Sequence, residues 1–188
     1  MALKIRTVPQ SLLPALDLEP LSVNQLEAYA IEILQFIQQY RREFYGLAGL
    51  QYDCGCRINE LFQRDRWTVI NQTTLQIQPQ KGNNTRVLPV TDLGFANTND
   101  MGAIFADMER LPKGQYERCF SRAVDHVGLW RLYEYGFARP SSHLFRHLKV
   151  KKMAAQNFSV EQIGLYIGEK KLDNLNYYLN SQYFSELR

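Results

Sequence analysis

The segment Ser142-His143-Leu144-Phe145-Arg146-His147 sets a histidine and an arginine three positions apart, and Tyr178 follows Arg146 by 32 positions. Read with Arg57 and Lys81 upstream, these residues suggest a site that binds a phosphodiester with two arginines and attacks it with a tyrosine. An arginine fork donates two hydrogen bonds to phosphate oxygens. A phenol with a pKa near ~10 is a poor nucleophile until its proton is removed or its developing charge is stabilised. Two arginines, a lysine and a histidine would supply that stabilisation. Each residue also has an ordinary reading: surface arginine for Arg57, exposed turn lysine for Lys81, helix packing for any of Tyr177, Tyr178 and Tyr183. His143 and His147 lie four apart and could instead form a metal pair. Leu144 stands where a zinc-protease helix has glutamate, and His126 is the only other histidine, so no metal and no cofactor is expected.

The elements that must position these side chains are mostly helical. Leu26, Ala30, Ile33, Leu34, Ile37 and Tyr40 recur at helical spacing behind a Ser22–Gln25 capping-box pattern. A second helical stretch covers about 42–52, and Gly55 then leaves Arg57 in or near a turn. Asn59 is placed to cap a short helix over 60–63, with Glu60 free to orient Arg57. Residues 68–89 carry short apolar runs around the turn signal Lys81-Gly82-Asn83-Asn84, which predicts a small antiparallel sheet and a hairpin. It is the only β segment expected. Residues 97–107 mix loop and helix signals. A helix over 118–135 would place Phe120, Val124, Val127 and Trp130 on related faces. Further helices are expected from Pro140-Ser141-Ser142 to about Gln156, from the Ser159–Gln162 capping box to Ile167 with Gly168 ending it, and over 173–184. The fold class is α+β, mainly α-helical.

At 188 residues the chain suits one domain with a substantial core. The net charge of +3 permits nucleic-acid binding without demanding it. Basic residues gather late, at Arg146, Lys149, Lys151, Lys152, Lys170 and Lys171, as a binding face or a solvated helix face. Cys54, Cys56 and Cys119 make an odd count without a secretory signal, which argues for reduced, buried thiols and a cytoplasmic protein. Residues 1–20 hold Pro9, Pro14 and Pro20 and no long apolar run, and read as an extended arm ahead of a domain over 21–188.

The stretch from Tyr52 to Leu61, the hairpin with Lys81, Arg86 and Pro89, the His143-x-x-Arg146 box and Tyr178 together resemble the tyrosine recombinase (phage integrase) family. The resemblance runs from about Leu21 to Tyr183 and implies that family's catalytic-domain fold. It implies a site-specific DNA strand transferase, encoded by a bacterium, phage or mobile element, that passes through a 3′-phosphotyrosyl intermediate. Double-stranded DNA is the implied partner, with a homo-oligomer assembled on it. Arg57 and Arg146 would bind the phosphate, Lys81 would protonate the departing 5′ oxygen, and His143 would accept a proton or a hydrogen bond. The family places its tyrosine nine positions after the second residue of a Gly-His element, which selects Tyr178 over Tyr177 and Tyr183. Here that element is Gly168-Glu169, so Glu169 departs from the pattern. An ionised carboxylate about 4 Å from a phosphate costs on the order of 4 kcal/mol at an effective dielectric near 20. That approaches a thousandfold in rate. Three outcomes follow: a protonated Glu169 that donates, a Glu169 that points elsewhere, or a slow or inactive enzyme. The alternative function is an integrase-like DNA-binding regulator without chemistry, and residues 154–167 also read as a helix-turn-helix. The family's N-terminal clamp domain has no counterpart here, so the chain reads as a short recombinase or the catalytic part of a longer one.

Overall fold

The computed structural model describes residues 19–71, 74–78, 85–89, 101–133 and 136–185. Residues 1–18 of the arm expected over 1–20, and the hairpin tip with Lys81, lie outside the described residues. Helix α1 (Val23–Tyr40) opens on Ser22, whose hydroxyl accepts from the Gln25 N–H while the Gln25 side chain accepts from the Ser22 N–H. Its stripe of Leu26, Ala30, Ile33, Leu34 and Ile37 is fully buried. A short 3-10 turn (Arg42–Phe44) leads into α2 (Tyr45–Cys54). These helices pack with α5 (Lys113–Val127) and α6 (His143–Ala155) into the main core. Phe44, Phe62, Tyr116, Phe120 and Phe145 meet there at ring-centroid distances of 5.1 to 6.3 Å, the separations that edge-on aromatic pairs favour. All three cysteines are free and buried.

Between α2 and α5 lie α3 (Ile58–Leu61), a 3-10 turn (Arg64–Arg66), strands β1 (Trp67–Asn71), β2 (Thr74–Ile77) and β3 (Arg86–Pro89), and α4 (Met101–Arg110). The strands form the expected antiparallel sheet in the order β1-β2-β3. Arg57, not Asn59, is the N-cap residue of α3, and Asn59 lies within the helix. The Glu60 carboxylate accepts from the Arg57 N–H at 2.8 Å, so the cap comes from the third helical residue reaching back.

A second sheet, in the order β5-β4-β6, is built from β4 (Leu129–Tyr133), β5 (Gly136–Ala138) and β6 (Tyr183–Ser185). It corrects two expectations. The helix predicted over 118–135 ends at Val127, because Gly128 adopts φ +65° and caps it, and Trp130 lies on β4. The last helix, α8 (Leu172–Asn180), stops short of Tyr183 and Phe184, which pair across β4 instead. The Tyr183 carbonyl also accepts from the Leu21 N–H, tying the end of the described chain to its start. Helix α7 (Val160–Ile167) follows the predicted Ser159 capping box. A smaller core of Val150, Met153, Ile163, Ile167, Leu175 and Tyr178 fastens α7 and α8 onto α6.

Candidate active site

Arg57 and Glu60 at the start of α3, Arg146 on α6 and Glu169 after α7 come from three separate segments and meet in one ion-paired cluster. The first segment follows the end of α2. Gly55 holds φ +60°, and a Cβ there would sit 3.1 Å from the Lys149 Cβ, so the turn lies directly against α6. Gln51 fixes the same corner: its side chain accepts from the Tyr116 hydroxyl at 2.7 Å and donates to the Cys56 carbonyl at 3.2 Å and the Ser142 hydroxyl at 3.4 Å. That buried network joins the turn before Arg57 to the start of the helix bearing His143 and Arg146.

Arg146 is fully buried, and its Nη1 donates to the Gly55 carbonyl at 2.9 Å. Its Nε and Nη2 are buried without a hydrogen-bond partner. Unpaired buried donors on a cation are costly, and their presence marks a place shaped to receive an anion. Arg57 is partly exposed, with Nη1 3.2 Å from Glu60 Oε1 and Nη2 2.5 Å from Glu169 Oε2. Arg146 Nη2 lies 3.8 Å from the same Glu169 oxygen.

Glu169 therefore points into the cluster, which corrects the expectation that it could point elsewhere. Gly168 takes φ +69° at the end of α7, and the Glu169 N–H bonds back to the Gly164 carbonyl at 2.8 Å. This turn aims residue 169 between the guanidinium groups, and their charge holds the carboxylate there. A Cβ at position 168 would fall 2.8 Å from the Arg86 Cδ. Gly168→Ala should thus combine left-handed backbone strain with a clash, lowering unfolding stability by about 1–3 kcal/mol in a denaturant titration.

Tyr178 lies on α8, with its ring centroid 5.3 Å from the Arg146 guanidinium carbon. Its ring meets His147 edge-on at 4.7 Å, and only 6% of the residue is exposed. Tyr177 is its opposite, 52% exposed, while Tyr183 is buried on β6. Burial sets Tyr177 apart from the other two, and of the two buried rings Tyr178 is the one beside Arg146. His147 is the second histidine of the pair that the sequence offers as a metal alternative. Its Nδ1 lies 2.7 Å from the Ser181 hydroxyl, and its ring packs among Tyr177, Tyr178 and Tyr183.

Burial, reinforced by the Arg146, Arg57 and Arg131 charges, depresses His143 to about 4. Burial, with Arg131 and His143 next, depresses His147 to about 3. Both rings are neutral at pH 7 and can accept hydrogen bonds. A depressed histidine stabilises the fold above its unfolded value near 6.5, and that stability drains away as pH falls toward the folded value. Between pH 6.5 and 4, unfolding should take up about two protons through this pair. His147→Phe should cut the slope of unfolding free energy against pH by about one proton in that window.

The basic cluster of α6 is largely engaged within the chain. Lys151 donates to the Leu179 carbonyl at 2.6 Å, Lys152 pairs with Glu27, and Lys149 lies 4.8 Å from the centre of the Tyr166 ring. Lys170 and Lys171, beside Glu169, are exposed. Sequence reasoning placed Arg86 only within the hairpin. Here its side chain is 2% exposed and pairs with Glu60 at 2.8 Å. Strand alternation turns Arg86 and Leu88 inward and leaves Val87 exposed, an orientation that the apolar Val87 does not signal in the sequence.

No family model and no curated protein matches the sequence. Solved structures do. A lambda integrase dimer bound to a COC′ core site superimposes with a TM-score of 0.62 at 19% identity, covering 86% of this chain and 59% of that one. XerA recombinase gives 0.60 at 13% identity, over 86% and 59%. XerH site-specific recombinase bound to its difH substrate, in a pre-cleavage complex, gives 0.56 at 17% identity, over 85% and 49%. The fold is that of a tyrosine recombinase catalytic domain, and the chain spans between 49% and 59% of the length of these three proteins.

Proposed function

We propose that the chain, through a catalytic domain over 21–188, is a DNA strand transferase that cleaves and rejoins strands by way of a 3′-phosphotyrosyl intermediate. One observation carries the reading. Arg57 and Arg146 converge on a single anionic oxygen, at 2.5 and 3.8 Å, and the Arg146 guanidinium carbon lies 5.3 Å from the centre of the Tyr178 ring. In a DNA complex that position belongs to a non-bridging phosphate oxygen, and Glu169 must withdraw or be protonated to yield it. The Tyr178 oxygen then bonds to phosphorus as the bond to the 5′ oxygen breaks. The phenolic proton passes to neutral His143, and the departing 5′ oxygen takes a proton from Lys81. A 5′ hydroxyl of a partner strand reverses the step. The phosphodiester energy is kept in the adduct, so the sequence of steps needs no added energy source. Catalysis rests on preorganised positive charge around the pentacoordinate phosphorus. Lambda integrase structures include a dimer bound to a COC′ core site and a tetramer bound to a Holliday junction, which supports double-stranded DNA and self-association on it as the partners proposed here.

A second reading, a DNA-binding regulator without chemistry, is favoured by the same carboxylate. A Glu169 that never leaves Arg57 denies the phosphate its site. Tyr178→Phe separates the readings: it should eliminate covalent capture of DNA by a transferase and leave a regulator's binding unchanged.

A further inference from the structure

Glu60 is almost wholly buried, at 2% exposed, and serves two arginines at once. One oxygen accepts from Arg86 Nη2 at 2.8 Å and from the Arg57 N–H at 2.8 Å, while the other faces Arg57 Nη1 at 3.2 Å. Burial works against the charged form of Glu60. The Arg86 charge is the strongest opposing influence, ahead of the Arg57 N–H and the Arg146 and Arg57 charges, and the net result is a carboxyl held below its ordinary range. Arg86 has a second contact. Its Cγ, Cδ and Nε lie within 3.2 Å of where a Cβ on Gly168 would stand, directly under the turn that aims residue 169. It reaches both places because Arg86 and Leu88 share the inward face of β3.

We infer that Arg86 is a positioning residue of the phosphate site, holding Glu60 so that Glu60 holds the Arg57 fork, and supporting the Gly168 turn so that residue 169 meets that fork. This rests on the phosphate-binding reading above. The ion pair of Arg86 is with Glu60. Without it, Glu60 would sit in a poorly solvated place with one strong neutralising partner removed, and its grip on Arg57 would loosen.

The test is side-chain nitrogen NMR on protein labelled with 15N-arginine, with the Arg57 signals assigned by Arg57→Lys. Rotation and hydrogen exchange of the Arg57 guanidinium should be slow in the wild type. They should be about tenfold faster in Arg86→Gln, the factor matching the loss of one hydrogen bond to a charged group. Arg86→Lys keeps the charge on Glu60 and preserves the fold should Arg86→Gln not fold. It should lie between the two, because an ammonium reproduces one contact and not the platform under Gly168. Arg57 exchange identical to wild type in Arg86→Lys and in any folded Arg86→Gln would overturn the inference. The readout needs no DNA cleavage. Faster Arg57 exchange with no adduct from any version of the protein would leave positioning standing and the transferase reading fallen, and the reverse pattern would do the opposite.

Discussion

Arg146→Ala is expected to reduce covalent capture of DNA by about a thousandfold, the upper range for removing one preorganised donor to developing charge. Affinity for DNA should fall far less, because most contacts that position a duplex are made elsewhere along its backbone. The size of the effect follows from where Arg146 sits. It is fully buried, it is anchored by one nitrogen to the Gly55 carbonyl, and its two further nitrogens have no hydrogen-bond partner among the described residues. Such a side chain cannot be replaced by solvent or by a neighbouring lysine. Its removal also strips the Gly55 carbonyl of a donor, so the variant's fold must be verified by circular dichroism. Arg146→Lys is the milder companion, retaining charge without the fork. Single-turnover adduct formation and equilibrium binding, measured on the same nicked duplex, separate the two effects. Normal adduct formation by folded Arg146→Ala would contradict the assignment of the site.

Glu169→Gln should behave in the opposite sense. In the wild type the carboxylate stands between Arg57 and Arg146 and neutralises them internally. Its loss leaves two guanidinium groups facing one another, so the variant should be less stable in a non-coordinating buffer. Inorganic phosphate should then restore that stability, because an anion that binds only the folded state stabilises it by RT ln(1 + [L]/Kd), about 2.7 kcal/mol at a hundredfold excess over Kd. Wild-type protein should respond weakly, since its own carboxylate competes. Thermal unfolding with phosphate titrated from zero to tens of millimolar, at constant ionic strength, distinguishes the two proteins. An equal response would mean that Glu169 does not occupy the anion's place. In the adduct assay Glu169→His should gain up to about a thousandfold, the rate equivalent of removing a carboxylate from beside a phosphate.

Local signals made much of this molecule legible. The buried stripe of α1 and both serine capping boxes were written in spacing alone. So was the short sheet, because apolar runs around a Lys-Gly-Asn-Asn turn have few other uses. The second sheet was not legible, for a physical reason. Its three strands are short, and β6 pairs with β4 from more than fifty residues away, so Trp130 and Tyr183 take their conformation from tertiary partners. At the site, residue types and order pointed to Arg57, His143, Arg146 and Tyr178 individually. Lys81 lies outside the described residues. What spacing could not reveal was the relation between them. That Glu169 bridges two arginines, and that Arg86 turns inward to hold Glu60, depends on segments meeting across 112 residues in the first case and 26 in the second. Nor does spacing show that, of the late lysines, Lys152, Lys151 and Lys149 contact Glu27, Leu179 and Tyr166 within the chain.

The most direct test of the central claim, that Tyr178 is a nucleophile aimed at a phosphate held by Arg57 and Arg146, is covalent trapping. Nicked duplexes from a randomised pool, together with DNA flanking the gene, would be incubated with wild type, Tyr178→Phe, Glu169→His and the double variant. The products would be resolved under denaturing conditions. The account predicts a protein–DNA adduct that Glu169→His strengthens and that every version lacking the Tyr178 hydroxyl fails to form. An adduct that persists in Tyr178→Phe would contradict it. So would a Glu169→His protein that binds these duplexes and leaves them intact.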